Sequence, residues 1–204
     1  MATYDDPRIL RAIAHPTRNR ILAELGAAGT ARAADLAHAL DIPANQASFH
    51  LRQLAKYGLV AEAPEEARDR RDRVWRLAAE DGISFRTSDV LAQPGGPAAV
   101  EVFHRSATAR GHHLVESAYA RPGDDDVQRV VTEEAIRLTG EEVLALSAEL
   151  HAVVESWRRR LREDGGDAER TTYSVYQLMQ PYPDVLDDVP APVRVRGFGP
   201  PTDA

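Results

Sequence analysis

A short stretch near residue 50 carries side chains that can form hydrogen bonds with the edges of DNA bases. Asn45 and Gln46 present amides, which can each form two hydrogen bonds with N6 and N7 of adenine. Arg52 can do the same with O6 and N7 of guanine, Phe49 can contact a thymine methyl group, and Ser48 can hold a phosphate. These residue types suit a helix that enters the major groove, which is roughly 12 Å wide. The stretch is therefore a candidate DNA-binding surface.

A loop further along the chain is rich in arginine. Arginine suits the narrow, negatively charged minor groove, so this loop is a second candidate DNA contact. The alternative is a solvated loop whose arginines pair with acidic neighbours, which are Glu65, Glu66, Asp69 and Asp72. The loop arginines are Arg68, Arg70, Arg71 and Arg73. The complete predicted DNA-binding set is Arg18, Asn45, Gln46, Ser48, Phe49, Arg52, Arg70, Arg71 and Arg73.

The elements that would position these side chains form a helix-turn-helix. We expect Thr30 to cap a helix over 31–40, which places apolar residues on one face. Residues 41–43 form a tight turn that contains a proline, and a second helix follows over 44–57. Gly58 ends that helix, as glycine commonly does one residue past a helix. The second helix would be the one that enters the major groove.

Further elements are expected on both sides of this motif. Short apolar runs over 59–63 and 73–77 predict two strands that form a hairpin, the wing, with the arginine-rich loop at its tip. Before the motif, helical spacing predicts helices over 7–13 and 17–28, with Asp5 or Asp6 capping the first. His15 stands at the junction between them. The first 80 residues therefore predict a winged helix-turn-helix domain.

Composition and charge separate this region from the rest of the chain. The 204 residues have a net charge of −7, which argues against a general binder of polyanions. Residues 1–80 are nearly neutral at +1, whereas residues 81–204 carry −8. The chain has no cysteine, which excludes disulfides, thiolate nucleophiles and thiolate metal sites. We find no signal peptide and no apolar run long enough to span a bilayer, and we expect a cytoplasmic protein.

Two segments resemble the ArsR-like winged-helix transcriptional regulators. Residues 10–22, LRAIAHPTRNRIL, are similar to the opening motif of that family. Residues 47–54, ASFHLRQL, followed by Gly58-Leu59-Val60, are similar to its recognition helix and the start of its first wing strand. The resemblance covers about residues 7–78 and implies a homodimeric bacterial regulator, usually a repressor, whose DNA affinity an effector alters. Many members sense metals through cysteines, which this chain lacks.

The remaining residues predict a linker, a second domain and a tail. We assign 81–98 to a linker with one short strand at 83–86, and 181–204 to a proline-rich tail. Residues 99–180 are expected to form a mainly helical domain for dimerisation, with effector binding as an open second role. It would contain a helix up to residue 119 and short strands at 135–138 and 171–179. The predicted fold class is therefore α+β, mainly helical with small β elements.

The clearest element of the second domain is a long helix that begins at a capping box. Thr139 and Glu142 satisfy each other's free N–H groups at its start, and about 25 residues follow. Its apolar positions predict either a core within one chain or the seam of a homodimer. These positions include Leu146, Leu150, Val153 and Trp157.

Effector chemistry is less defined. Histidine and carboxylate spacing on the helix that ends at residue 119 could suit zinc, but it does not match the family's pattern, and we expect no resident metal or other cofactor. The candidate ligands are Glu101, His104, His112 or His113, and Glu116. A small organic effector beside Trp157, Tyr173 and Tyr176 remains open, as does the absence of any small effector. His50 is expected to pack in the core. No nucleophile and base stand out, so we do not expect an enzyme. The alternative function is a winged helix that docks a protein without binding DNA.

Overall fold

The computed structural model describes residues 2–67, 73–79, 83–120, 128–164 and 170–181. It is mostly helical, with one small three-stranded sheet, as the fold class predicted. The helices are α1 (Pro7–Ile13), α2 (Pro16–Ala28), α3 (Ala33–Leu40), α4 (Ala44–Lys56), α5 (Thr87–Leu91), α6 (Gly96–Tyr119) and α7 (Gly140–Glu163). The strands are β1 (Ala2–Thr3), β2 (Thr30–Arg32), β3 (Val60–Glu62), β4 (Val74–Leu77) and β5 (Ile83–Ser84). None of the helices in these ranges is both long and apolar enough to cross a bilayer.

The boundary between α1 and α2 follows the local sequence. The carboxylate of Asp6 accepts a hydrogen bond of 2.8 Å from the Arg8 N–H, which caps α1. His15 is the N-cap of α2, and its extended backbone (ψ 125°) is the conformation that Pro16 imposes on the residue before it. α2 ends at Gly29, whose φ of +83° favours glycine. The predicted junction at His15 is therefore confirmed.

The helix-turn-helix domain contains a third strand, β2, which the sequence analysis missed. β4 lies at the centre of an antiparallel sheet between β2 and β3. The predicted cap at Thr30 is wrong, because Thr30 pairs with Arg76 in β4 and α3 begins only at Ala33. The carboxylate of Asp35 instead accepts a hydrogen bond of 3.0 Å from the Arg32 N–H. Pairing with a distant strand overrode the local capping preference of threonine.

One hydrophobic core joins these helices to the sheet. Its buried members come from α1, α2, α3, α4 and residues 59–60, and Trp75 of β4 packs on them. The largest fully buried side chains among them are Ile21, Leu25, Leu36, Leu51, Leu54 and Leu59. The N-terminal winged helix therefore has a hydrophobic core, against which Phe103 of α6 also packs.

The segment predicted to be a linker also folds. β5 pairs in parallel with β1, and α5 follows it directly. Val90 of α5 is fully buried in a second cluster, with Leu10 of α1 and with Ala99 and Val100 of α6. A Cβ atom at Gly96 would lie only 2.0 Å from the Val90 carbonyl oxygen, so glycine permits the close approach of α5 and α6. Residues 87–100 therefore attach α6 to the winged helix.

α7 has the predicted cap, and its apolar face is open. The Glu142 carboxylate accepts from the Thr139 N–H at 2.7 Å, and the Thr139 hydroxyl accepts from the Glu142 N–H at 3.3 Å, which confirms the capping box. Of the two alternatives for its apolar face, a core within one chain is not formed, since α7 has no buried residue; the dimer seam stays a prediction. The strands predicted at 135–138 and 171–179 are likewise not formed in this single chain. The tail lies outside the described residues from 182 onwards.

Candidate nucleic-acid interface

The surface of α4 divides into a buried face and an exposed face. Its buried residues are Ala47, His50, Leu51 and Leu54, which anchor the helix in the core. Asn45, Gln46 and Arg52 are exposed, Phe49 is 50% exposed, and Ser48 is partly buried. An exposed aromatic ring costs favourable burial, so its position beside amides and a guanidinium is typical of a contact surface. The structure therefore brings the five predicted α4 side chains to or near one open face.

α3 and the turn after it hold α4 in place. α3 packs against α4, and Leu36 and Ala37 of α3 are buried. Asp41 ends α3 with a φ of +51°, a left-handed conformation that aspartate tolerates better than most residues. Pro43 then starts α4 with a fixed φ of −59°. α3 and the turn thus hold the buried face of α4, which fixes the direction of its exposed face, as a recognition helix requires.

Two histidine rings meet on the buried side of α4, one from His50 of α4 and one from His15 at the start of α2. The rings of His15 and His50 are 4.8 Å apart between centroids, and Phe49 meets the His50 ring edge-on at 5.4 Å. His50 is only 5% exposed, which confirms its expected packing role. Within the described part of the chain, neither buried Nδ1 atom has a hydrogen-bond partner. Burial lowers the pKa of both histidines, aided by the positive charge of Arg18 and, for His50, by the neighbouring His15.

The wing presents cations that are partly neutralised. Arg73 lies 3.6 Å from Glu62, and Arg76 lies 3.9 Å from Glu65, measured from nitrogen to carboxylate oxygen. All four side chains are about half exposed or more, so each pair contributes little and salt screens it. Arg68, Arg70 and Arg71 lie outside the described residues.

Comparison with known proteins agrees with this geometry over the core of the motif. A family model described as "Helix-turn-helix domain" matches residues 13–63. Residues 13–63 are a helix-turn-helix domain of the ArsR type. The chain therefore has the fold of a DNA-binding transcriptional regulator, and regulators of this kind are not enzymes. No curated protein matches the chain significantly.

Solved structures give a weaker likeness. A double mutant of ZitR from Lactococcus lactis in apo form is 19% identical, with 74% of this chain and 88% of that chain covered and a TM-score of 0.30. A cysteine-to-serine mutant of MarR from Escherichia coli is 18% identical, with 72% and 86% covered and a TM-score of 0.32. Scores of this size do not establish a shared overall structure, so the assignment depends on the helix-turn-helix domain.

Arg18 has a place in this domain that the sequence analysis did not foresee. Its Nε donates a hydrogen bond to the Ala12 carbonyl at 2.6 Å, and one Nη donates to the Arg11 carbonyl at 3.0 Å. The hydroxyl of Ser106 in α6 donates to the Ala14 carbonyl at 2.6 Å. The last carbonyls of a helix lack partners within it, so these donors complete α1 and tie α6 to it. Because the Arg18 guanidinium is engaged with the main chain, its predicted DNA contact is untested and loses support.

One exposed residue of the helix-turn-helix domain was missed. Lys56 follows Asn45, Phe49 and Arg52 at a helical spacing that places all four on one stripe, and its side chain is exposed. Its ammonium group lies 5.9 Å from the centroid of the Tyr57 ring, which restrains it. The heptad step from Phe49 to Lys56 was visible in the sequence. Neither Arg52 nor Lys56 has an ion pair with any described residue.

The predicted zinc ligands on α6 do not form a site. Over the described ranges, the structure contains no cluster of three or more histidine, aspartate or glutamate side chains that could hold a metal ion. Glu101 instead accepts a hydrogen bond from Arg105 at 2.7 Å. His104, His112 and Glu116 are exposed on α6.

The side chains proposed to line an effector pocket are more than half exposed: Trp157, Tyr173 and Tyr176. The guanidinium of Arg160 covers the Trp157 ring at 4.0 Å. A cavity of about 460 Å³ lies elsewhere, between the end of α2, the base of the wing and the last turns of α7. Much of its lining is charged, and within it Arg158 pairs with Glu155. The aromatic pocket predicted for the second domain is therefore not formed in a single chain.

Proposed function

We propose that this protein is a sequence-specific transcriptional regulator in which α4 contacts the bases of the major groove. The observation that carries the proposal is the exposed stripe of Asn45, Phe49, Arg52 and Lys56 on a helix whose opposite face is buried. The amide of Asn45, with that of the neighbouring Gln46, suits adenine, and Phe49 suits a thymine methyl group. The two cations at the far end of the stripe suit guanine or the phosphates. Ser48 and the wing arginines would add phosphate and minor-groove contacts.

The proposed regulator acts as a homodimer on an inverted repeat. One recognition helix contacts few base pairs, and two-fold pairing doubles the interface and requires two half-sites about one helical turn apart. α7 supplies an exposed apolar face for that pairing, on which Leu150 is 38% exposed and Val153 and Trp157 are both 55% exposed. Repression is the mode that the ArsR resemblance favours, and the cytoplasm is the expected compartment.

The charges along α7 also suit pairing with itself. Its first turn is acidic, with Glu141 and Glu142, and its last turns carry a net positive charge. The charged residues of those last turns are Arg158, Arg159, Arg160 and Arg162 against Glu155 and Glu163. An antiparallel copy would place the acidic end of each helix beside the basic end of the other. Such complementarity favours a two-fold partner over an unrelated one.

Selection from a pool of random double-stranded DNA tests the proposal directly. We expect the full-length protein to retain an inverted repeat and to sediment as a dimer. Binding should weaken steeply with salt, because contacts with phosphates release counterions. A protein that retains no sequence, or whose affinity does not depend on salt, would contradict the proposal.

The Arg73–Glu62 and Arg76–Glu65 pairs favour a second candidate, a winged helix that docks a protein partner. If the wing is neutral, its attraction to DNA is lost. Charge-reversal variants separate the two functions: Glu62→Arg should strengthen DNA binding if the wing lies against phosphates. If the winged helix docks a protein partner instead, that docking should remain independent of DNA in the Glu62→Arg variant.

A further inference from the structure

Two segments on either side of α7 are mostly exposed. Residues 128–138 and 170–181 contain no helix, turn or bend. Their apolar side chains face solvent, with Val130 85% exposed, Ile136 69%, Val175 65% and Leu178 67%. The second segment contacts the rest of the chain through two side chains: the Thr172 hydroxyl donates to Glu24 of α2 at 2.8 Å, and the Tyr176 hydroxyl lies beside Gly111 of α6. Over the described ranges, no hydrogen bond joins the backbone of either segment to another backbone group. Their amides and carbonyls are therefore available to a partner.

The composition of these segments is that of β-strands. Residues 171–179, TTYSVYQLM, are rich in β-branched and aromatic residues, and Ile136 and Leu138 alternate with polar Arg137. A straight chain of this composition offers a row of free N–H and C=O groups, which is a template for pairing with another strand. The sequence predicts strands here, yet a single chain does not supply the pairing.

The helix between the two segments does not cover them. α7 begins two residues after Leu138, and residues 128–137 are nevertheless all exposed. The apolar face of α7 is also open, as Val153 and Trp157 show. The backbone groups of the two segments and the apolar face of α7 thus remain uncovered within one part of the chain.

We propose that residues 128–138 and 170–181 become β-strands by pairing with the same two segments of a second copy of this chain. A two-fold copy presents both a strand edge and an apolar helix face, because each protomer carries the same surfaces. In an antiparallel pair of α7 helices, the acidic start of each lies beside the basic end of the other, which favours a second copy over a foreign protein. The exposed apolar side chains of the strands would then pack beneath the two α7 helices. The inference rests on the proposed homodimer and defines how its seam is built.

Hydrogen exchange of the full-length protein, followed by mass spectrometry, tests the inference. At concentrations well above the dimer dissociation constant, amides of both segments should exchange about tenfold or more slowly than free chain, as paired strands do. On dilution to the monomer, this protection should disappear, while the buried amides of α4 remain protected. Sedimentation at the same concentrations reports the oligomeric state independently.

Each other outcome overturns a different part of the inference. A dimer whose two segments exchange like free chain would leave the homodimer standing and refute the intermolecular strands. Segments that stay protected in the monomer would show that they pair within one chain instead. A monomer that still binds an operator would refute both the homodimer and the strands, while the DNA-binding function would survive.

A pair of variants at the centre of the second segment gives an independent check. Val175→Pro removes an N–H group that a strand needs, whereas Val175→Thr keeps it together with a β-branched side chain. We expect Val175→Pro to raise the dimer dissociation constant about tenfold or more and Val175→Thr to change it little. Unchanged exchange in α2 and α4 would show that both variants are folded. Equal dimerisation by the two variants would refute strand pairing at this position.

Discussion

The winged helix and the region from residue 128 onwards use the same kind of amphipathic helix with opposite results. α4 buries Leu51 and Leu54 completely against neighbouring helices and the sheet. α7 is longer and has the better cap, yet none of its residues is buried. Local sequence forms the helix in both cases, and the difference lies in what is available to cover the apolar face. A helix of this kind that stays uncovered within one chain indicates a surface that is completed by assembly.

One apolar-to-alanine variant in each region tests whether α4 and α7 are covered in different ways. Leu51→Ala removes a fully buried side chain, and we expect it to lower the free energy of unfolding by about 2–5 kcal/mol at any protein concentration. Leu150→Ala should destabilise only through the dimer, so its effect should fall as the protein is diluted. Chemical denaturation at two protein concentrations measures both. A concentration-independent loss for Leu150→Ala would show that α7 has a core within one chain.

Charge on the exposed face of α7 should separate the protomers. We expect Trp157→Glu to raise the dimer dissociation constant about tenfold or more, because the change removes an aromatic ring from the seam and a carboxylate there must lose its hydration. Ala148→Glu places the same charge on the opposite side of α7 and is the matched control. Sedimentation measures the dissociation constants. If Ala148→Glu weakened the dimer as much as Trp157→Glu, the seam would not follow the apolar stripe.

The exposed face of α4 should determine which bases are preferred. We expect Gln46→Ala and Asn45→Ala each to cost about 1–3 kcal/mol of discrimination at one position of the half-site. Operators with single-base changes, titrated by fluorescence anisotropy, measure this loss. Stability should not change, since both side chains are exposed. A uniform loss over all operators would mean that these amides contact phosphates rather than bases.

Acid should destabilise the winged helix through its buried histidines. Because the pKa values of His15 and His50 are lowered on folding, the unfolded chain binds more protons than the folded one below about pH 6.5. Stability is therefore complete above about pH 6.5 and falls as the pH drops below this value. Thermal unfolding of wild type and His50→Met over this range should show a smaller pH dependence in the variant. Equal dependence in both would remove His50 as a source of the effect.

The smallest expected effect concerns the cations of the α4 stripe. We expect Arg52→Ala and Lys56→Ala to weaken binding to all sequences alike and to reduce the slope of log affinity against log salt by about one each. Arg105→Ala, which removes an exposed arginine of α6, is the control and should leave the slope unchanged. If Arg52→Ala changed the preferred base instead, Arg52 would contact guanine.

The sequence predicted the candidate site more closely than its surroundings. The proposed bounds of α4 differ from the observed ones by one residue, since a proline before it and a glycine after it mark its ends. The role of Arg18 was not predictable, because its hydrogen bonds depend on how α2 folds back against the end of α1. The burial of Val90 was missed because its partners come from α1 and α6. A proline- and glycine-rich stretch is typical of a linker until such partners are known.

The sequence by itself determined most of the helices, the caps of α1 and α7, the hairpin and the polar face of α4, because each depends on residues close together in the chain. Tertiary structure decided where their apolar faces go. Thr30 became a strand residue because β4 was there to pair with it, and His15 met His50 because α2 packs on α4. Hydrophobic burial does not depend on sequence distance, so a pattern shows that a face must be covered but not what covers it. A single chain leaves the apolar face of α7 open, so the proposed dimer would decide what covers it.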